Sequence, residues 1–129
     1  MPVYSHPYDS QGHDPAMPVV GIGLLSIDTG DPLISLEAIV DSGADATMLP
    51  IEALRAAGAR YYRAWRMRGV TGQSVNVDTY LTIIQLGPHV IYGVKAVAMS
   101  AGSEAILGRD VLNELELTLN GPAQELWVA

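Results

Sequence analysis

The chain has 129 residues, a formal net charge of −7, 49% apolar residues and no cysteine. That length suits one domain with a real core and leaves little room for two. The acidic balance disfavours nucleic-acid backbones and membrane surfaces as partners, and the missing cysteines exclude disulfides and thiolate chemistry.

Residues 1–16 are rich in Pro, Gly, Asp, Ser and His and have no periodicity, which predicts a flexible N-terminal tail ahead of a folded domain over 17–129. The start lacks the basic and apolar segments of a secretory leader, so cytoplasmic residence is the default expectation. His6 and His13 lie in the tail beside Asp9 and Asp14. Two histidines on a loose tail read as solvated polar residues, and no metal or cofactor is expected. The richest apolar run, Val19 to Ile27, is broken by two glycines and a serine and does not approach bilayer length.

From Met17 the pattern is mostly β. Val20, Ile22 and Leu24 alternate with small residues, Thr29-Gly30-Asp31-Pro32 marks a turn, and Leu33 to Val40 forms a second strand running into Asp41. Pro50 to Ala57 predicts a short helix, with proline in the first turn and Gly58 as a left-handed cap. Tyr61 to Arg68 and Ser74 to Leu86 are strands around a hairpin tip at Gly69-Val70-Thr71-Gly72. Arg60, Arg63, Arg66 and Arg68 form the only basic cluster, and their strand-like setting makes them a solvated edge. Gly87-Pro88 turns the chain into a strand over Val90 to Met99. Ala105-Ile106-Leu107 is another apolar strand, followed by a helix around Arg109 to Asn113. Leu115 to Leu119 and Glu125 to Val128 flank Asn120-Gly121, a hairpin signal. Tyr61, Tyr62, Trp65 and Trp127 are expected in core or interface packing. The sum is an all-β domain, a closed barrel or sandwich with one or two short helices.

Two segments carry chemistry. In Val40-Asp41-Ser42-Gly43-Ala44-Asp45-Ala46-Thr47-Met48 an apolar strand delivers an aspartate into a Ser-Gly-Ala turn. A carboxylate at a buried strand end is costly unless hydrogen-bonded or paired, and Ser42 and Gly43 can supply a donor and close backbone approach. In Ile106-Leu107-Gly108-Arg109-Asp110 a second strand ends in Gly and an arginine that can meet an acid of the first segment. Asp28-Thr29-Gly30 also joins an acid to a glycine, but Asp31-Pro32 follows it, and it reads as a hairpin turn.

Asp41-Ser42-Gly43-Ala44 resembles the Asp-Ser/Thr-Gly-Ala signature of the retropepsins, the retroviral-type aspartic proteases. Ile106-Leu107-Gly108-Arg109-Asp110 resembles their second hallmark, and a Gly-bearing hairpin lies between the two where that family carries its flap. The likeness runs from about Pro18 to the C-terminus and looks closest to cellular and bacterial single-domain members. The tetrapeptide alone arises by chance in on the order of half a per cent of chains this long, so the flanking pattern adds most of the specificity.

The resemblance implies a homodimer with Asp41 as the catalytic aspartate of each subunit and Ser42, Gly43 and Ala44 supporting the active-site loop. It makes Asp45 a substrate contact that also pairs with Arg109, a pair expected to be buried. It places Ala46 where many viral members carry a second acid, Met48 beside the substrate, and Val70, Thr71 and Gly72 near the flap tip. The expected partners are a second copy of the chain and an extended peptide with bulky apolar side chains at the cut. A catalytically weak peptide-binding or scaffold dimer of the same fold is the alternative, and a third reading makes the N-terminal tail a cleavable or inhibitory segment.

One aspartate is not enough for such a mechanism. One carboxyl must be ionised to take a proton from the attacking water and the other protonated to donate to the peptide carbonyl. Two carboxyls about 3 Å apart share one proton, as is known for aspartic proteases in general. The chain has a single Asp-Ser/Thr-Gly-Ala motif, so the second carboxyl has to come from Asp41 of another copy.

Overall fold

The computed structural model describes residues 4–69 and 71–129. In chain order the elements are β1 (Tyr4–Pro7), β2 (Val19–Leu25), β3 (Pro32–Val40), β4 (Met48–Pro50), α1 (Ile51–Ala56), β5 (Arg60–Arg68), β6 (Ser74–Leu86), β7 (His89–Met99), β8 (Ala105–Leu107), α2 (Arg109–Leu112), β9 (Leu117–Asn120) and β10 (Glu125–Val128).

Six strands close a barrel in the order β2-β3-β8-β4-β7-β6, with β6 returning to β2 through Gly23↔Gln85, Leu24↔Ile84 and Leu25↔Ile83. Closure leaves no free edge in the barrel wall, which answers the usual hazard of a small all-β domain. Alternation sets the inner face: Val20, Ile22 and Leu24 of β2 point inward with Ile84 and Leu86 of β6, Val94 and Ala96 of β7, and Ala105 and Leu107 of β8. Leu49, Leu54, Val111 and Leu112 add the two short helices and β4 to the same core. The inserted strand β8 is parallel to β3 and antiparallel to β4, so it lies between two strands that the loop 41–47 connects. That insertion brings the two chemistry-bearing segments side by side.

β5 stands outside the barrel and pairs only with β6. The β6–β7 register begins at Thr79↔Val97, so Ser74–Asp78 have β5 as their sole neighbour and the outer half of the β5–β6 hairpin projects. Gly72, at φ +82°, closes the tip, where Gly69 N donates to Gln73 O at 2.9 Å. Val70, expected near this tip, lies outside the described residues.

The helix signals hold. Gly58 sits at φ +69° after α1, and Gly58 N→Arg55 O (3.1 Å) with Ala59 N→Leu54 O (3.0 Å) form a Schellman cap. Asp28-Thr29-Gly30 is a turn, as expected, with Gly30 at φ +78° and Gly30 N→Ser26 O at 2.8 Å.

Three expectations need correction. Residues 4–16 are not a loose tail in this structure: β1 pairs with β10 from Tyr4↔Val128 to Pro7↔Glu125, and Asp9 bridges Met17. Tyr4 and His6 are half-buried while Ser5 and Pro7 are exposed, a two-residue alternation too short to register among prolines and glycines. His13 is not simply solvated but bridges Asp9 Oδ2 (2.9 Å) and Glu104 Oε2 (3.1 Å). The C-terminal hairpin turns over Gly121–Gln124, not on Asn120-Gly121 alone, with Asn120 Oδ1 accepting from Ala123 N and Gln124 at φ 51°. A two-residue Asn-Gly turn would make Pro122 the first residue of the return strand, where it has no N–H for the ladder.

Candidate active site

Asp41 follows the last residue of β3, and its backbone N–H continues the β3–β8 ladder by donating to Leu107 O at 3.1 Å. The chain then turns sharply. Ala44 N donates back to Asp41 O (3.1 Å), and the Asp41 carboxylate accepts from Gly43 N at 2.9 Å through Oδ1. Asp41 is half-buried, and among the described residues its carboxylate joins no ion pair.

The segment after β8 locks this turn from below. Arg109 N donates to Ala44 O (2.9 Å), Arg109 Nη1 donates to Ser42 O (2.9 Å), and Arg109 Nη2 binds Asp45 Oδ1. Gly108 is required by space and not by dihedral: a Cβ there would sit 2.5 Å from the Ala46 carbonyl carbon and 3.0 Å from Ala44 O. The expected Asp45–Arg109 pair therefore forms, but not in a buried setting. The side chains are 78% and 44% exposed in the subunit.

Sequence reasoning gave no role to two residues that hold this site together. Thr47 is fully buried; its hydroxyl donates to Asp110 Oδ1 at 2.7 Å and accepts from Gly108 N at 3.2 Å. The Asp110 carboxylate also accepts from Thr47 N and Val111 N, so it ties the first turn of α2 to the loop before β4. The available signal was a hydroxyl residue six positions after the aspartate together with an acid directly after the arginine.

Above the loop lies β5. A groove of about 480 Å³ is lined by Asp41, Gly43, Ala44, Asp45, Ala46 and Met48 on one side and Trp65, Arg66, Met67 and Arg68 on the other. A second cavity of about 230 Å³ shares Asp45, Ala46 and Trp65 with it and adds Tyr62, Arg63, Thr79, Lys95 and Asp110. The two form one cleft between the aspartate loop and the projecting hairpin. The subunit thus brings together Asp41, Gly43, Ala44, Asp45, Ala46, Met48 and Arg109. Ser42 is exposed on the same loop, whereas Thr71 and Gly72 lie at the hairpin tip and do not line the cleft. Trp65 is half-buried against the cleft, while Tyr61 and Tyr62 are 55% and 41% exposed and do not belong to the core.

The family described as "gag-polyprotein putative aspartyl protease" matches residues 33–114, which span both loops and the hairpin between them. The chain belongs to this family of retropepsin-like aspartic proteases. Its fold is similar to that of the EIAV protease complexed with the inhibitor HBY-793, at TM-score 0.56 and 23% identity over 76% of this chain and 86% of that one. It is also similar to a retropepsin-like aspartic protease from Rickettsia conorii, at TM-score 0.51 and 15% identity over 87% and 92% of the two chains. No curated protein matches significantly. Among the described residues no helix is long and apolar enough to cross a membrane.

Proposed function

We propose that the chain is an aspartic endopeptidase that acts as a homodimer on extended polypeptides. Two Asp41 carboxyls, one from each subunit, activate one water at the two-fold axis. The ionised carboxyl takes a proton from the water as its oxygen attacks the peptide carbonyl. The protonated one donates to the carbonyl oxygen, and the proton taken from water later passes to the leaving amine. Ser42, whose side chain is exposed on the loop, is the residue to bond across the axis and hold the two loops together. Asp45, Ala46 and Met48 contact the peptide from below, with Thr71, Gly72 and Val70 closing from the hairpin.

One observation carries this reading. Asp41 stands at a strand end in a turn fixed from both sides, beneath an open cleft, and among the described residues its carboxylate joins no ion pair. Among the described residues its only side-chain hydrogen bond comes from Gly43 N to Oδ1, which leaves Oδ2 unused. The absence of cysteine means folding needs no disulfide, which suits a reducing cytoplasm.

The test is Asp41→Asn in the purified protein. Asn keeps the shape and can still accept from Gly43 N, so the variant should fold and dimerise while peptide cleavage is lost. The wild-type rate should be bell-shaped in pH and fall at alkaline pH, because the dyad needs one proton. Full activity in the Asn variant would contradict the assignment.

A further inference from the structure

The chain is acidic, yet its few cations are not scattered. Of seven Lys and Arg residues, Arg60 is paired with Asp28 and Arg109 with Asp45. Four of the remaining five, Arg63, Arg66, Arg68 and Lys95, line the cleft. Among the described residues none of these four has a carboxylate within ion-pair distance. The one carboxylate on the hairpin, Asp78, lies opposite Ala64 and makes no ion pair either.

The inner end of this row is built, not incidental. A register shift between Tyr61 and Arg63 leaves Tyr62 as an extra residue in β5, and the Thr79 hydroxyl donates to Arg63 O at 2.7 Å to hold the bulge. The displaced Tyr62 ring carries the Arg63 guanidinium at 5.5 Å and the Lys95 ammonium at 4.8 Å from its centroid. Two like charges are thereby held near one aromatic ring in the lining of the smaller cavity. The floor opposite is acidic, with Asp41, Asp45 and Asp110, of which Asp45 is taken by Arg109 and Asp110 by Thr47.

We infer that this cleft selects peptides with acidic side chains, a Glu or Asp seated against Arg63 and Lys95 and a further one against Arg66 and Arg68. The inference rests on the cleft being a peptide site, as proposed above, and names its substrate class. Arg60, Arg63, Arg66 and Arg68 are all exposed on the edge strand β5, as expected, and the inference gives the last three a ligand. A phosphodiester chain is the poorer ligand, because its unbroken row of charges would also run over the three carboxylates of the floor.

The experiment uses the Asp41→Asn protein and labelled extended peptides of one apolar sequence flanked by Glu, Gln or Lys. Binding is read by fluorescence anisotropy at low and high salt. The Glu peptide should bind roughly threefold to tenfold more tightly than the Gln peptide at low salt, with Lys weakest and the gap narrowing as salt rises. In Arg63→Gln/Lys95→Gln, and separately in Arg66→Gln/Arg68→Gln, the Glu-to-Gln ratio should fall toward one. Equal binding of Glu and Gln peptides, or a ratio unchanged in both variants, would overturn the inference. Hydrolysis of the same peptides by the wild-type chain is scored apart: failure to cut any of them counts against the protease reading, while the binding ratio still decides the acid preference.

Discussion

At the scale of single residues, the aspartate loop is set by side chains whose value lies in what they accept. Thr47 is fully buried and serves Gly108 N and Asp110 at once. Thr47→Val keeps the volume but leaves the Gly108 N–H without its acceptor and Asp110 without its shortest donor. It should cost about 1–3 kcal/mol in denaturant unfolding. Arg109 is a different case. Its partner Asp45 is 78% exposed, so Arg109→Ala should cost less than about 2 kcal/mol by the same measurement, far below the loss expected for a buried pair. Cleavage should suffer more than stability, because Arg109 also holds Ser42 O. A stability loss above about 3 kcal/mol would mean that the pair is buried in the assembled protein. Asp41, Asp45 and Arg109 were legible because their order along the chain mirrors their chemistry. Thr47 and Asp110 were not, since the Asp45–Arg109 pair is announced by opposite charges, whereas a threonine hydroxyl does not by itself call for a distant carboxylate.

At the scale of elements, the strands legible in the sequence were the long ones with a clear alternation or apolar run, above all β2, β3, β6 and β7. The short ones depend on tertiary company. β4 has three residues and exists because β7 and β8 flank it. β1 has four and exists because β10 offers an edge. That pairing changes the meaning of the C-terminal hairpin: β10 is the centre of the three-stranded sheet β1-β10-β9, and Leu126 and Val128 are fully buried in the core. The segment is part of the subunit fold, and its removal should destabilise the subunit itself. The N-terminal segment is fastened a second time by His13 between Asp9 and Glu104. Bonding to Asp9, reinforced by Glu104, raises the His13 pKa above its ordinary value. Gly12 N–H, then His13 and Gln11, hold Asp9 below its own. The His13 contribution is full below its unfolded pKa, near 6.5, and is lost as pH rises through the raised folded value. The Asp9 contribution is full above about 3.9 and is lost as pH falls through the lowered one. The fastening should therefore be firmest between about pH 4 and 6.5. Hydrogen exchange over residues 8–17 should be slowest there, after correction for intrinsic rates, and His13→Ala should remove the loss of protection on the alkaline side. Protection that stays flat through pH 5 to 8 in the wild type would show that His13 does not fasten the segment.

At the scale of the whole molecule, the chain supplies a barrel, a projecting hairpin, a cleft and one aspartate beneath it. The closed barrel was legible as a class of fold from turn-punctuated short strands, but the insertion of β8 between β3 and β4 was not, because topology is set by packing and not by local pattern. The proposed mechanism asks for a second carboxyl, and a two-fold dimer would provide it from the same residue. That claim is most directly tested by subunit mixing. Wild-type and Asp41→Asn chains are combined in equal amounts, allowed to exchange subunits, and assayed at fixed total concentration. If both Asp41 carboxyls are needed in each dimer, only wild-type pairs cut, and activity should settle at about one quarter of the all-wild-type value. Activity of about one half would mean that each chain works with its own aspartate alone, and would contradict the shared site.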